Sequence, residues 1–319
     1  MTLFRTFLND DPPKIARLWS DVSAVPGRIQ NMSVSILERH VFSKPYFDRH
    51  GLILAEKDGD LIGFVHAGFG PNEGLVDISM SIGVVCLLMV KEIENAEEIR
   101  LKLVEKAEQY LLEREATEIR AGCIDTRSPF YLGLYGGSDM AGILESDSKT
   151  LQAFEKTGYE AIDRTRLFQL DAVGYRPPAD RQTVKNRRKF VVETDFQVRS
   201  SNWWEGCQFG NIDRIRFRLR PRSGGPPAGE LTLWDMGPFN PGSGHSAMGL
   251  IDLYLDESYR GQGVATFFVG ESIRQMQTSG VGMVESQVNV KNEIATRLFL
   301  KLGFQPTEFG VSLRKPTVA

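Results

Sequence analysis

The chain has 319 residues, of which 41% are hydrophobic, 25% charged and 10% aromatic, and its formal net charge is −3. At about 100–200 residues per domain, this length indicates two domains. The balance of apolar and charged residues excludes wholesale disorder and fibrous repeats. The small negative charge argues against nucleic acid as the main partner. Three scattered cysteines are too few for a disulfide framework or a metal cage.

The sequence predicts neither export nor membrane insertion. The N-terminal stretch turns polar at Asn9 and lacks the apolar core of a signal peptide. The longest apolar stretch, Gly83–Val90, is far shorter than the roughly 20 residues that span a bilayer. We therefore expect a cytoplasmic protein in a reducing compartment, with no membrane partner.

The first half predicts a mixture of strands and helices. The turn Lys57-Asp58-Gly59-Asp60 is typical of a hairpin, and the apolar run that ends at Val90 is typical of a strand buried on both faces. The predicted elements are a strand Thr2–Asn9, a helix from the Asp-Asp-Pro-Pro start at 10–13, a helix Val34–Phe42, hairpin strands Gly51–Glu56 and Leu61–Gly68, a strand Ile82–Val90, a helix Asn95–Arg114, a strand Glu118–Ile124, a helix Asp147–Thr157 and strands over Tyr159–Asp171.

Val173–Asp180, rich in glycine and proline, predicts a linker between domains 1–172 and 173–319. After the linker we expect mainly strands as far as Trp234. The remaining predicted elements are a Gly/Pro/Ser loop over Gly237–Ser246, a buried strand Gly249–Leu255, a helix Gly261–Thr278, a strand Met283–Val290, a helix Glu293–Lys301 and a terminal pair of strands.

The two halves carry the same pattern. A Phe-x-x-x-Gly-Tyr run from Phe154 ends one short helix, and a Phe-x-x-x-Gly-Phe run from Phe299 ends another. A buried strand starts at Gly83 in the first half and at Gly249 in the second. The distance from strand to helix is longer in the first half, and we assign the excess to an insertion at 125–146. The chain therefore reads as a diverged tandem duplication.

The segment Tyr259–Ala265, Tyr-Arg-Gly-Gln-Gly-Val-Ala, connects an apolar strand to an apolar helix. Gly261 and Gly263 permit a sharp turn and a close approach to a ligand. The helix that starts there directs unpaired N–H groups and its positive end at the same place. These features predict an anion cradle suited to a pyrophosphate, with Arg260 adding charge. The alternative is a tight turn without a ligand.

Downstream, residues 292–304 have the pattern Asn-x-x-Ala-x-x-x-Phe-x-x-x-Gly-Phe. This run resembles the Asn-x-x-Ala-x-x-x-Tyr-x-x-x-Gly-Phe run of the GCN5-related N-acetyltransferase (GNAT) superfamily, and residues 260–265 resemble its acyl-CoA motif, Arg/Gln-x-x-Gly-x-Gly/Ala. The resemblance covers about residues 248–310, and the first half shares only the architecture. It implies an α/β (α+β) fold of two tandem GNAT-like domains, each a mixed, mostly antiparallel sheet flanked by helices.

The resemblance also implies an N-acetyltransferase that uses acetyl-CoA as co-substrate and an amine of a small molecule or peptide as acceptor, with no metal. Acetyl-CoA would lie beside the strand Gly249–Leu255. Backbone groups of Leu253, Tyr254 and Leu255 would pair with the pantetheine arm and the thioester carbonyl. The other implied contacts are a pyrophosphate held at Arg260, Gly261, Gln262, Gly263, Val264, Ala265 and Thr266, and a pantetheine contact at Asn292. The chain would act as a monomer or homodimer.

The catalytic groups are less defined. Phe299 stands where the family often has a tyrosine as general acid, and phenylalanine cannot donate a proton. Asp252 and Asp256 are the nearest carboxylates, and strand alternation places Asp252 on the face of Tyr254. Asp252 is our candidate base, against the alternative of a structural acid. His245 is a second candidate, against the alternative of a solvated loop histidine.

The first half has lost the cradle. Matching the strand starts aligns Gly261 with Asn95 and Gly263 with Glu97. Carboxylates favour a helix start but repel a pyrophosphate. We therefore predict one CoA site per chain, and a first domain that is structural or forms one wall of the acceptor cleft. Two rival functions remain: a catalytically weak CoA-binding or regulatory protein, and a scaffold without a ligand.

Four other features allow two interpretations each. The arginines that alternate over 214–222 predict a solvated face paired with Glu230 and Asp235, or an anion site. The basic run 185–189 predicts a solvated surface rather than a ligand contact. Trp203-Trp204 predicts packing or an acceptor pocket, and the stretch 130–137 predicts domain docking or acceptor contact. Cys207 lacks the histidine context of a nucleophile.

Overall fold

The computed structural model describes residues 2–22, 24–124, 128–239 and 246–316. The chain forms two compact units: Met1–Thr165 with Ser201–Gly210 and Glu308–Ala319, and Arg166–Ser200 with Asn211–Thr307. This division differs from the predicted 1–172 and 173–319, because a segment near residue 205 and the C-terminal strand join the first unit.

The described residues form both strands and α-helices. The strands are β1 (Leu3–Thr6), β2 (Leu52–Lys57), β3 (Asp60–Pro71), β4 (Ile78–Val90), β5 (Glu118–Ala121), β6 (Ile143–Leu144), β7 (Glu160–Asp171), β8 (Phe190–Asp195), β9 (Arg214–Pro221), β10 (Gly229–Asp235), β11 (Ser246–Leu255), β12 (Val281–Asn289) and β13 (Gln305–Lys315). The α-helices are α1 (Pro12–Asp21), α2 (Val34–Leu37), α3 (Ala96–Glu113), α4 (Ser148–Lys156), α5 (Arg181–Lys189), α6 (Trp203–Phe209), α7 (Val264–Thr278) and α8 (Glu293–Lys301).

The sheet of the first unit is mixed. Strands β1 to β4 are antiparallel neighbours, β4 pairs in parallel with β5, and β13 pairs with β5 through Leu313 and Ala121. The β2–β3 turn has positive φ angles at Asp58 (54°) and Gly59 (87°), as a tight hairpin requires. Strand β4 is buried from Gly83 to Val90, which confirms the predicted buried strand.

The sheet of the second unit repeats this order. Strands β8 to β11 are antiparallel neighbours, β11 pairs in parallel with β12, and β7 follows β12. Helices α7 and α8 pack on a core that includes the fully buried Phe217, Phe268 and Phe304. The repeated order confirms the predicted fold class of two tandem, mixed and mostly antiparallel sheets flanked by helices.

Three predicted elements differ in part from the structure. The stretch between the linker and Trp234 contains helices α5 and α6 as well as strands. Helix α5 lacks an apolar stripe, because the side chains that it buries are Thr183 and Asn186. The terminal strand pair is the single strand β13, in which Gly310 pairs with Leu144 rather than forming a turn. The second predicted helix is α2 followed by a π-helical turn over Glu38–Phe42.

The inserted segment packs into the first unit. Its described part, from residue 128 onward, buries Phe130, Tyr131 and Tyr135, and residues 125–127 lie outside the described ranges. The Tyr131 hydroxyl lies 2.9 Å from Nδ1 of His66, and the Tyr135 hydroxyl donates to Asp147 at 3.2 Å. Both tyrosines therefore serve the core of this unit. In the described part of the chain, no helix has the length and hydropathy to cross a bilayer.

Candidate functional site

The candidate site lies where β11 separates from β12. Their parallel register runs from Ser246–Val281 to Leu250–Ser286, although β11 continues to Leu255 and β12 to Asn289. Burial ends at the same point, since Ala247–Leu250 are buried whereas Tyr254 is 53% exposed. The prediction that the whole of Gly249–Leu255 is buried was therefore wrong. Beyond Leu250, backbone groups on this edge of β11 need partners other than β12.

A β-bulge at Asp252 interrupts the same strand. Asp252 has a φ of 55°, and the register with β10 shifts between the pairs Thr232–Ile251 and Glu230–Tyr254. Aspartate tolerates this left-handed conformation better than most residues. A bulge bends its strand and redirects the side chain. Both Asp252 and Tyr254 are exposed.

Asp256, the other candidate carboxylate, has a local structural role. Its Oδ1 accepts hydrogen bonds from the Ser258 N–H at 3.0 Å and the Ser258 hydroxyl at 2.5 Å. These bonds lower the pKa of the Asp256 carboxyl below its ordinary value. Arg260 also contacts the turn, since it donates from Nε to the Leu255 carbonyl at 3.1 Å and pairs with Glu257.

The turn into α7 has the backbone that its glycines predict. Gly261 and Gly263 adopt positive φ angles of 72° and 68°. Gly263 is the N-cap residue and has no side chain with which to cap α7. The first-turn N–H groups, including those of Val264, Ala265 and Thr266, have no acceptor within the helix. Such an arrangement of N–H groups can bind an anion.

Helix α5, which sequence analysis missed, packs against this turn. Gln182 donates from Nε2 to the Gln262 carbonyl at 2.9 Å, and Asn186 donates from Nδ2 to the same oxygen at 3.1 Å. Asn186 is only 2% exposed. The sequence does contain a start signal, because Asp180 follows two prolines and its side chain accepts from the Thr183 N–H at 2.8 Å.

Helix α8 carries the two other residues that the family pattern singles out. Asn292 caps this helix, with Oδ1 accepting from the Ala295 N–H at 3.0 Å. Phe299 is 3% exposed, and its ring lies 5.9 Å from that of Phe168 and 4.9 Å from that of Phe304. Phe299 is therefore a core residue.

In the first unit, ion pairs take the place of the glycine turn. Strands β4 and β5 pair as far as Val85 and Ala121, and β4 then continues to Val90 without pairing with β5. This repeats the separation of β11 from β12. Helix α3 nevertheless starts among charged side chains. Glu97 pairs with Lys156, and Glu92 pairs with both Arg100 and Lys149.

Two of the alternating arginines of β9 have carboxylate partners. Arg218 contacts both Glu230 and Asp195 at 3.1 Å, and Arg220 contacts Glu193 at 2.6 Å. The predicted partner Glu230 is confirmed. Asp235 instead accepts from the Gly237 N–H at 2.8 Å. The pairs favour a solvated face over an anion site.

The remaining candidates from the sequence are the tryptophan pair, a cysteine, the basic run and His245. Trp204 is 3% exposed and stacks on Tyr46, with 4.8 Å between the ring centroids, so packing is confirmed for this residue. Burial raises the pKa of the Cys207 thiol, which disfavours a nucleophilic thiolate. The basic run of α5 is exposed except for Asn186. His245 lies outside the residues that the structure describes. Within the described ranges, His, Cys, Asp and Glu side chains form no group that could hold a metal ion.

Comparison with known proteins agrees with this geometry. Residues 218–304 match the family model of the Acetyltransferase (GNAT) family. The match includes both motifs, at residues 260–265 and 292–304, and the resemblance seen there is confirmed. Curated protein sequences contain no match to the chain.

Solved structures share the fold over almost the whole chain. A GCN5-related N-acetyltransferase from Sphaerobacter thermophilus is 15% identical with a TM-score of 0.65, over 98% of this chain and 95% of that one. A tandem GNAT protein from the clavulanic acid biosynthesis pathway is 13% identical with a TM-score of 0.66, over 98% of each chain.

A third structure is a glucosamine N-acetyltransferase region of a fungal multi-domain β-N-acetylglucosaminidase. It is 14% identical with a TM-score of 0.71, over 98% of this chain and 38% of that one. At these identities the three structures establish the fold. The chain has the tandem GNAT architecture.

Proposed function

We propose that this protein is an acyl-CoA-dependent N-acetyltransferase, which moves an acetyl group from acetyl-CoA to an amine of a small molecule or peptide. The observation that carries the proposal is the glycine turn at Gly261 and Gly263, placed where β11 leaves β12. The parting strands offer backbone groups to an extended arm, and the helix start offers N–H groups to its phosphates. The family match over residues 218–304 supports the same ligand.

Each part of the ligand has a proposed partner. Backbone groups of Leu253, Tyr254 and Leu255 pair with the pantetheine arm, since this stretch of β11 lies beyond its pairing with β12. The amide nitrogen of Asn292 contacts the same arm, while its oxygen caps α8. The pyrophosphate contacts the N–H groups of the turn and the first helical turn, from Gly261, Gln262 and Gly263 to Val264, Ala265 and Thr266. Arg260 adds positive charge at this end.

The reaction forms a C–N bond and breaks a C–S bond. Acetyl-CoA, when bound, supplies an acetyl group activated as a thioester, and the neutral amine attacks its carbonyl. The protein must hold the amine uncharged, stabilise the negative charge on the carbonyl oxygen and provide a proton for the departing thiolate. The amine releases a proton in the same reaction, so protons balance overall.

We assign Asp252 as the candidate base. It is exposed on β11, and the bulge redirects its side chain at the place where the strands part. Asp256 suits this role less well, because its bonds to Ser258 lower its pKa and a weakly basic carboxylate accepts a proton poorly. Phe299 offers no proton, so the thiolate must be protonated by water or another donor.

An amine panel tests the proposed function. Release of free thiol from acetyl-CoA is measured with small amines and peptide amines, for the wild type and for Asp252→Asn. We expect at least one amine to accelerate thiol release in the wild type, and slower release by the variant at unchanged acetyl-CoA affinity. Asparagine also tolerates the left-handed backbone at this position. Binding of acetyl-CoA without amine-dependent release would contradict the enzyme.

That contrary result would favour the second candidate, a catalytically weak CoA-binding or regulatory protein. One observation supports it: the helix position that often carries the general acid holds Phe299, which packs against Phe168 and Phe304 instead of carrying a hydroxyl.

The variant Phe299→Tyr separates these two candidates. We expect acetyl-CoA binding to persist, because the glycine turn is elsewhere, and the rate of thiol release to change less than about tenfold. The new hydroxyl would lie in a core position, where an unpaired hydroxyl costs about 1–3 kcal/mol of stability. Thiol release with a fixed amine and thermal unfolding measure both effects. A rate gain of about a hundredfold or more would show that the missing proton donor limits the natural protein.

A further inference from the structure

Helix α5 lies on one side of the glycine turn and fixes a single backbone oxygen. Two side-chain amides, from Gln182 and Asn186, converge on the carbonyl oxygen of Gln262 at 2.9 and 3.1 Å. This carbonyl lies between the two glycines with positive φ. A loop of this composition has wide conformational freedom, and hydrogen bonds from a helix restrict it.

The direction of this carbonyl determines the direction of the next N–H group. In a trans peptide the C=O and the following N–H point in opposite directions. Because the Gln262 oxygen points towards α5, the N–H of Gly263 points away from it. The first N–H groups of α7 follow directly after Gly263, so the orientation of this peptide sets where the donors begin.

Gln262 is also held through its side chain. The Gln262 side chain donates from Nε2 to the Ser258 carbonyl at 2.8 Å. Gly263 fits closely against α5, since a Cβ there would lie 2.8 Å from Cγ of Gln182. Close packing and three hydrogen bonds thus define one conformation of the turn.

Helix α5 is itself anchored at its start and on its flank. Asp180 accepts from the Thr183 N–H and pairs with Lys301 of α8 at 2.9 Å, and these contacts lower the pKa of Asp180 to about 2. Arg187 lies 3.8 Å from Glu271 of α7. The helix that carries the two amides is therefore tied to both helices of the proposed site.

We propose that Gln182 and Asn186 are positioning residues, which hold the turn before Val264 in the conformation that binds the pyrophosphate of acetyl-CoA. This inference rests on the proposed function. It predicts that these two side chains affect the phosphate end of the ligand and leave the acyl end unaffected. If α5 had a purely structural role, removal of these side chains would weaken the binding of both ends of the ligand.

The test compares acetyl-CoA with acetyl-pantetheine, which lacks the pyrophosphate and the nucleotide. The variants are Gln182→Leu, Asn186→Leu and the double variant, which keep approximate size but remove the donors. Val184→Ala is the matched control, because Val184 lies on the same helix, is 49% exposed and does not contact Gln262 through a hydrogen bond. Calorimetry measures acetyl-CoA affinity, and thiol release with one amine measures KM for both acyl donors.

We expect about fivefold weaker acetyl-CoA binding for each single variant and about fiftyfold for the double variant, since the second removal leaves the carbonyl without a donor from α5. KM for acetyl-pantetheine should stay within about twofold of wild type. The inference would be overturned if acetyl-CoA and acetyl-pantetheine were affected to the same extent, or if the double variant bound acetyl-CoA as tightly as Val184→Ala does. Either result would leave the proposed function intact. Absence of acetyl-CoA binding in the wild type would instead refute the proposed function. If the Asn186 variants do not fold, Gln182→Leu, which changes a half-buried side chain, allows the same comparison of acetyl-CoA with acetyl-pantetheine.

Discussion

Gly263→Glu should weaken acetyl-CoA binding at least about a hundredfold. The variant places a carboxylate at the turn that we assign to the pyrophosphate. Two unit charges about 4 Å apart interact by roughly 4 kcal/mol at an effective dielectric constant near 20, and about 1.4 kcal/mol corresponds to a tenfold change in affinity. The added Cβ would also meet Cγ of Gln182 at 2.8 Å, and the φ of 68° is strained for any side chain. Calorimetric titration with acetyl-CoA measures the loss.

Gly280→Glu is the matched control for this variant. Gly280 follows the other end of α7, also has a positive φ, of 90°, and has open space around its missing side chain. It therefore receives the same charge and a similar backbone strain without approaching the glycine turn. A folded Gly263→Glu protein with the affinity of the control would show that the motif is only a turn.

Gly310→Ala should lower the free energy of unfolding by about 3 kcal/mol or more. A Cβ at Gly310 would lie 1.9 Å from the backbone oxygen of Ala141, and a backbone atom cannot move aside as a side-chain tip can. The facing segment is also tightly packed, since a Cβ at Gly142 would lie 2.5 Å from the Val311 oxygen. Overpacking of this kind typically costs about 1–3 kcal/mol and sometimes more. Urea unfolding of the variant measures the change.

Gly74→Ala provides the comparison for Gly310→Ala. Its added methyl would meet only side-chain atoms, of Asn72 and Val76, at 3.6 Å. We expect the free energy of unfolding of this variant to stay within about 0.5 kcal/mol of wild type. Equal stability of the two alanine variants would mean that β13 does not pack against the inserted segment as the structure has it.

The sequence predicted the fold where a periodic pattern or a turn had a single structural solution. The apolar run to Val90 became a buried strand, and the hairpin at Gly59 formed with the expected positive φ. The helix Glu293–Lys301 has the predicted bounds, because an asparagine caps it and Gly303 follows its end. In each case the local residues alone decide the conformation.

Helix α5 escaped prediction because its contacts are polar. An apolar stripe is the main signal of a surface helix, and α5 exposes its valine while it buries Thr183 and Asn186. Asn186 is buried because it donates a hydrogen bond to the Gln262 carbonyl, and that residue is distant in sequence. The pairing of β13 with β5 was not predicted for a similar reason. Nothing in the local sequence of either strand specifies a partner so distant along the chain.

The candidate site was predicted in part. The glycines of the turn have positive φ angles as their residue types require. The bulge at Asp252 could not be predicted, because an aspartate within a strand does not by itself indicate a left-handed backbone conformation. The end of burial at Leu250 depends on where β12 separates from β11, which is a property of two strands together.

The number of acetyl-CoA molecules bound per chain shows directly whether one unit or both units bind the ligand. We propose that only the second unit binds acetyl-CoA, because it has glycines at 261 and 263 where the first unit has Asn95 and Glu97, and Glu97 is paired with Lys156. Calorimetric titration of the full chain should give one site per chain, abolished or strongly weakened by Gly263→Glu. Two equivalent sites, or one site that Gly263→Glu leaves unchanged, would contradict a single site at the glycine turn of the second unit.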